Sequence, residues 1–334
     1  MAIVKNIAVI GAGMAGLACS QALQQAGFLV TVFEKSRGPS GRVSTRSTEG
    51  WQCDHGAQYF TVSEPAFASQ VQKWVQAGLV AEWNGRLYET DGHRLQQKQT
   101  DKKRYVGVPK NTVPARQMAE ALPVELEQTI DAITVDQGQW RVRSKEHGVY
   151  PQVFDKVVLA IPAPQAKALL TGHDAFKALA EGVQMRGCWT LMACYSRSLD
   201  LPFDGLFVNN GPLSWLARDS SKPGRLVQGS AVKEVWVLHA SGEWSEANLE
   251  RAPEAVAEDL LAAFKALGGE TPDSVSMHRW RYADCPQYLH QGYAWDATQQ
   301  LGLCGDWLNG GKVQGAWMSG LRLAEAMIQA CEPC

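Results

Sequence analysis

The chain has no apolar run long enough to cross a bilayer, because Pro, Gly, Gln or charged residues interrupt every candidate. It has no excess of either charge. Lys and Arg total 32 against 34 Asp and Glu, a net charge of −2, which leaves no basic footprint for nucleic acid or anionic lipid. Cysteine is sparse and scattered: Cys19, Cys53, Cys188, Cys194, Cys285, Cys304, Cys331 and Cys334 suit buried thiols in a reducing compartment better than a disulfide framework. Cys331-Glu332-Pro333-Cys334 has CxxC spacing but no strand–helix context, so it reads as tail rather than redox centre. No His, Cys or carboxylate spacing suggests a metal site. There is no internal repeat and no low-complexity segment. Lys5, the apolar stretch after it and Ala18-Cys19 superficially resemble a secretion signal. A dinucleotide turn explains the same residues better, and a cytoplasmic protein is expected.

What is present begins with that turn. Ile7-Ala8-Val9-Ile10 reads as a buried strand and runs into Gly11-Ala12-Gly13-Met14-Ala15-Gly16. An Ala/Leu-rich helical pattern follows to Gly27, then a second strand, Leu29–Phe33, ending at Glu34. Gly11 permits the tight turn, Gly13 lets backbone N–H groups reach a pyrophosphate, and Gly16 lets helix and strand pack closely. The helix N-terminus, opening at Met14, turns its partial positive charge to the phosphates. Glu34 then accepts hydrogen bonds from the ribose hydroxyls. GxGxxG alone is weak evidence; strand, helix, strand and acid together are strong.

At 334 residues and 45% hydrophobic composition the chain can bury a large core and form two units. A basic, glycine-rich turn, Lys35–Arg42, is followed by the small-residue turn Asp54-His55-Gly56-Ala57-Gln58-Tyr59-Phe60-Thr61. Helices are predicted over 65–79 and 114–122, a hairpin over 132–142 with its turn at Asp136–Gln139, and a buried strand over 156–161. From about 163 to 284 the chain is Trp-rich, with short alternating strands such as Glu234–His239 and one helix from Pro253 to Leu267. The last residues return to strand (Leu301–Cys304), turn (Gly305-Asp306) and helix (Val313–Ala330). The expected dinucleotide domain is therefore discontinuous, over 1–62, 105–162 and 285–334, with a substrate domain over 63–104 and 163–284.

The C-terminal element points to flavin. Asp306 can bind the hydroxyls of a ribityl chain, and a helix opening near Gln314-Gly315-Ala316 would aim N–H groups at the flavin pyrimidine edge, where reduction develops negative charge. A plain strand–turn–helix with a capping Asp is the alternative. No second GxGxxG follows a strand downstream, so a separate NAD(P) domain is not expected. The fingerprint, the turn ending at Arg42, and Gly305-Asp306 with Gln314-Gly315-Ala316 together resemble the flavin-containing amine oxidase superfamily. Within it, Asp54-x-Gly56-Ala57-Gln58-Tyr59-x-Thr61 resembles the renalase family. The resemblance implies an α/β fold, a Rossmann-like FAD-binding domain with an inserted mixed α+β substrate domain. It implies non-covalent FAD, with Ala12, Glu34, Lys35 and Arg42 at the adenosine and diphosphate. Gly56, Ala57 and Gln58 would border the isoalloxazine, Asp306 would hold the ribityl chain, and backbone near Ile130 would meet the adenine. Ser40 departs from the family's usual glycine and strains the turn if that position needs φ > 0. No cysteine lies between Gly305 and Gly320, which argues against a thioether-linked flavin.

The resemblance further implies an oxidase that takes hydride from a misreduced 2- or 6-dihydronicotinamide dinucleotide onto flavin N5, returning NAD(P)+ and reducing O2 to hydrogen peroxide, a metabolite repair. No protein acid or base is obligatory, so no catalytic residue is expected. A flavin amine oxidase, with two aromatic side chains flanking the amine, and a flavin-binding protein without turnover remain open. Gln58, Tyr59, Phe60, Thr61 and Trp295 are the substrate-side candidates. His55, His239 and His278 read as backbone-bonded or core residues, and Arg37 as a solvated charge.

Overall fold

The computed structural model describes residues 5–225 and 229–331, and of the Cys331–Cys334 tail only Cys331 falls within them. The apolar runs near both ends meet in one six-stranded sheet. Its order is Ala294–Asp296, Leu301–Leu303, Lys156–Leu159, Asn6–Ile10, Leu29–Phe33, Val124–Glu125, parallel except for the edge strand Ala294–Asp296. Ile7, Ala8, Val9, Val157, Val158 and Leu159 have no exposed surface, as expected of strands covered on both faces. The helices Met14–Gln25 and Lys312–Gln329 cross closely on one face, where a Cβ on Gly320 would lie 2.0 Å from the Ala15 carbonyl oxygen. The hairpin Ile130–Asp136/Gln139–Ser144 forms as predicted, its two-residue turn carried by positive φ at Gln137 and Gly138.

The middle of the chain builds a second, seven-stranded sheet: Ser274–Asp284, Arg186–Tyr195, Glu234–Ala240, Leu213–Arg218, Gly205–Val208, Leu87–Thr90, Leu95–Gln97. Alternation gives it two apolar faces. Trp189, Leu191, Leu216, Trp236 and Leu238 face the helix Pro253–Ala266 through Val256, Leu260 and Phe264. Met192, Cys194, Trp215, Ala217, Val235 and Val237 face Cys53, Trp83 and Tyr59.

Packing moves two of the expected boundaries. The helix Pro65–Gln76 buries Phe67, Val71 and Trp74 in the same core as Leu17, Met118 and Trp317, so 65–82 packs with the dinucleotide unit rather than the substrate unit. Ala163, Ala166 and Leu169 likewise pack with Ile10 and Leu159. Both segments carry their apolar stripe toward the six-stranded sheet, which a composition shift along the chain does not reveal. Among the described residues no helix is long and apolar enough to cross a membrane.

Candidate active site

The nucleotide end is shaped by backbone. Gly11 has φ +106°, and a Cβ there would sit 2.6 Å from the Ala160 oxygen; one on Gly16 would sit 1.9 Å from the Gly11 oxygen. At Gly13 an added Cβ would meet nothing within 4 Å, which leaves room for a ligand at the helix start. The helix Met14–Gln25 has neither a capping side chain nor an acidic residue in its first turn, so its leading amides are available to an anion. Glu34 is buried, accepting from the Ala12 amide at 2.9 Å and the Ser36 amide at 2.8 Å; its remaining lone pairs suit ribose hydroxyls. Ala12 does not present a free donor. Its N–H goes to Glu34 and its carbonyl accepts from Ser40, so it shapes the turn rather than holding a phosphate. Lys35 is exposed, and Arg37 is solvent-facing, 3.9 Å from Glu127. The Gln128 amide donates to the Glu34 carbonyl at 2.9 Å, which brings the approach to half-buried Ile130 beside the ribose end.

Arg42 and Asp306, expected at different parts of the cofactor, form one bidentate pair at 2.5 and 3.0 Å, and Arg42 also donates to the Ala283 carbonyl. Burial works against the guanidinium charge, but Asp306 outweighs it and the pKa of Arg42 is raised. Ser40, two residues earlier, has φ 131°, the strained conformation anticipated from its departure from glycine. The second turn docks on Arg42 itself. Ala57 N–H donates to the Arg42 carbonyl at 3.0 Å, and a Cβ on Gly56 would lie 2.0 Å from that oxygen. The Gln314 side chain is engaged within the protein, while its backbone amide stays at the open start of its own helix. The side-chain amide accepts from the Ser63 and Glu64 N–H groups and donates to the Ser63 hydroxyl, so it caps the helix Pro65–Gln76. The helix Lys312–Gln329 opens without a capping side chain, leaving the leading amides of Lys312, Val313 and Gln314, one turn before Gly315 and Ala316, for a ligand. The Gly305 amide donates to the Ser319 hydroxyl, which fixes the loop carrying Asp306. An uncapped helix start over open space and a second uncapped helix supply donors, and a buried carboxylate at a strand end supplies an acceptor, a set that fits a flavin dinucleotide.

On the substrate side, Gln58 is turned inward. Its Nε2 donates to the Asp54 and Gly56 carbonyls and its Oε1 accepts from Lys222, so its amide secures the turn instead of meeting a ligand. Phe60 is buried in the core against Phe67 and Tyr105. Trp295 packs over Lys156, at the amino end of a parallel strand, whereas dinucleotides bind beyond the carboxyl ends. Neither reaches the site. Tyr59 is half-buried and packs with Trp215 at 5.6 Å and Trp83 at 6.2 Å, and Thr61 beside it is also half-buried.

Two further groups lie here, a charge cluster that escaped the sequence reading and the three histidines read as backbone-bonded or core residues. Asp54, Asp219, Lys222 and Arg225 form a fully buried charge cluster: Lys222 lies 2.6 Å from Asp219 and 3.4 Å from Asp54, and Arg225 lies 2.5 Å from Asp54. Burial alone would raise the pKa of Asp54, but Lys222 and Arg225 lower it; for Asp219 burial prevails and the pKa is raised. In the sequence Asp219, Lys222 and Arg225 sit in a polar Ser-, Pro- and Gly-containing stretch that reads as a solvated turn, so no local signal marked the cluster. The second group is imidazole. The His55 ring lies 4.6 Å from His278 and stacks on Trp280, while its carbonyl accepts from His239 and Trp280. Burial depresses all three, His55 to about 3 and His239 and His278 to about 4, so they stand neutral at pH 7.

A family model for flavin containing amine oxidoreductases matches residues 75–328, and one for NAD(P)-binding Rossmann-like domains matches residues 9–75. Among curated proteins, an L-amino-acid oxidase from Daboia russelii is 46% identical over 54 residues, and a zeta-carotene-forming phytoene desaturase from Myxococcus xanthus 44% identical over 52; each match covers 16% of this chain. The chain spans only about a tenth of the length of the curated relatives it matches (10% and 11% for these two). Among solved structures, a candidate protoporphyrinogen oxidase from Exiguobacterium sp. 255-15 superposes with a TM-score of 0.80 at 14% identity, covering 97% of this chain and 99% of that one. Cyclohexylamine oxidase from Brevibacterium oxydans superposes with a TM-score of 0.71 at 11% identity, covering 99% and 100%. A putrescine oxidase bound to putrescine gives 0.68 at 14% identity, covering 98% and 99%. At these identities the structural likenesses establish the fold alone.

Proposed function

We propose, from the premise that the chain belongs to the flavin containing amine oxidoreductase family, that it is an FAD-dependent oxidase of the renalase type acting on 2- or 6-dihydronicotinamide dinucleotides. The backbone amides at Gly13–Gly16, the Glu34 carboxylate, Arg42 with Asp306, and the leading amides of the helix Lys312–Gln329 would hold the cofactor. Bound there, FAD supplies a hydride acceptor and a route for electrons to O2, yielding hydrogen peroxide.

The observation that carries the reading is the wall formed by the Asp54–Tyr59 turn and the second sheet packed against it. It offers aromatic rings and neutral imidazoles, and its buried carboxylates Asp54 and Asp219 are already matched by Lys222 and Arg225. A planar, uncharged ring suits such a wall; a substrate ammonium finds no free carboxylate in it. Nor do its aromatic rings form a slot for an amine, since Tyr59 and Trp215 pack against each other at 64°. The residues act by orientation and exclusion of water, and none is required to move a proton. Amine oxidation is the second reading, favoured by the names of two structural neighbours, the putrescine and cyclohexylamine oxidases.

Anaerobic mixing separates the two. We expect rapid bleaching of the flavin by 2- or 6-dihydro isomers, slow bleaching by ordinary NADH and none by monoamines. A monoamine that bleaches the flavin fastest establishes the second reading instead.

A further inference from the structure

Beside Tyr59 the second sheet ends in an open cleft of about 420 Å³, formed by the segments 82–87 and 97–104. Its cations Arg86, Lys98, Lys102, Lys103 and Arg104 outnumber its carboxylates Glu82 and Asp101. Three of those cations are matched, Arg86 by Asp204, Lys98 by Glu89 and Lys103 by Glu82. Among the described residues, Lys102 and Arg104 form no ion pair.

Arg104 is the unusual member. It is only 9% exposed, yet among the described residues its guanidinium donates only to the Lys102 carbonyl, at 3.2 Å, and its buried Nε has no partner there. The group lies 5.2 Å over the Tyr59 ring. Burying a guanidinium with most of its donors unspent is unfavourable unless an anion completes it, and its planar fork matches a phosphate. Trp83 lines the cleft and also packs on Tyr59, so the cleft opens where the aromatic wall ends.

We infer that this cleft is a phosphate subsite, with Arg104 as its anchor and Lys102 at its rim, holding the phosphate of a substrate whose ring lies against Tyr59 and Trp215. Naming that phosphate as part of a dinucleotide rests on the function proposed above; the subsite itself rests on Arg104. It supplies affinity at a distance from the reacting ring and takes no part in the chemistry.

The test is calorimetric titration of the FAD-loaded enzyme with inorganic pyrophosphate, ADP-ribose and 2′-phospho-ADP-ribose, in wild type, Arg104→Gln, Arg104→Lys and Lys102→Gln. Wild type should bind pyrophosphate with an affinity that falls as salt rises. Arg104→Gln should lose about tenfold or more, Arg104→Lys less, and exposed Lys102→Gln about threefold with its fold intact. Dependence on Arg104 only when the 2′-phosphate is present would assign the subsite to that group; dependence with both ADP-ribose forms would assign it to the diphosphate. Equal binding by all four proteins, or none by wild type, overturns the subsite. Because pyrophosphate carries no ring, the two proposals fail separately. Arg104-dependent binding with no bleaching by any dihydronicotinamide keeps the subsite and removes the substrate assignment. Bleaching that is unchanged in every variant, without anion binding, does the reverse.

Discussion

At the nucleotide end, the groups proposed to meet a ligand are backbone amides and one carboxylate, arranged by glycines within a few residues of one another. At the substrate wall they are imidazole, indole, phenol and guanidinium groups, and partners stand far apart in the chain: Trp280 donates to the carbonyl of His55, 225 positions away. The first region is fixed by close backbone approaches, local where a Cβ on Gly16 would strike the Gly11 oxygen and across the sheet where one on Gly11 would strike that of Ala160. The second is fixed by sheet register, which pairs Thr190 with both His239 and His278 and so lines up the imidazoles on one face. Damage should therefore look different in the two. Local changes at the nucleotide end should loosen the cofactor, whereas changes behind the wall should weaken the fold.

The largest effect is expected behind the wall. Lys222→Met leaves Asp54 and Asp219 buried with one cation between them, and removing one partner of a buried pair costs about 3–5 kcal/mol. A thermal scan should show a large drop in Tm, partly recovered by adding Asp219→Asn. A loss below about 1 kcal/mol would show the cluster to be dispensable for stability.

At the nucleotide end, Glu34→Ala should weaken FAD retention by about 1.5–3 kcal/mol, with a smaller change in Tm of the FAD-free protein. Dialysis against apoprotein-trapping conditions and flavin fluorescence measure it. Because Glu34 also holds the Ala12 and Ser36 amides, Glu34→Gln should retain more affinity than Glu34→Ala. Unchanged retention in both variants would break the comparison.

The same division explains what could be read in advance. The GxGxxG turn, the strand on either side of it and the acid at Glu34 form one local unit, and most of its geometry follows from demands within it, the approach of Gly11 to Ala160 excepted. Arg42 and Asp306 were each legible, but their pairing was not, because they lie 264 positions apart and meet only when the sheet assembles. Phe60 and Tyr59 are neighbours whose side chains take opposite directions; composition could not say which faced the core. Trp295 was misplaced because its strand is the antiparallel edge, where progress along the chain runs away from the ligand-binding end. Lys222 and Arg225 needed the tertiary fold outright, since a charged turn in a sequence is ordinarily solvated.

A third change sharpens the contrast through pH. His239 is depressed to about 4 in the fold, against 6.5 when unperturbed, chiefly by burial. Between those values the unfolded chain binds the proton and the folded one does not, so stability is fully present above pH 6.5 and declines as pH falls toward 4. For His239 alone the loss between pH 7 and pH 5 is about 2 kcal/mol, and His55 and His278 add to the same slope. His239→Gln can still donate to the His55 carbonyl and should flatten part of the dependence of Tm on pH. An unchanged slope would mean that the ring reaches water.

The smallest effect tests the one place where the nucleotide end departs from its own rule. Ser40 is buried, donates its amide to the Ala12 carbonyl at 2.9 Å and bridges to Gly13, all at φ 131°. An L side chain at such φ costs about 1–2 kcal/mol, and glycine would relieve it while adding about 0.5–1 kcal/mol of conformational entropy to be lost on folding. Ser40→Gly should therefore stabilise the protein by at most about 1 kcal/mol, read as a small rise in Tm with FAD retention preserved or improved. Ser40→Ala is the control, because it keeps the backbone conformation and removes only the hydroxyl. If Ala raises Tm as much as Gly does, the cost lies in burying that hydroxyl. If only Gly raises it, the backbone is strained, and the turn that carries Arg42 is held in place by its neighbours against the preference of its own residue.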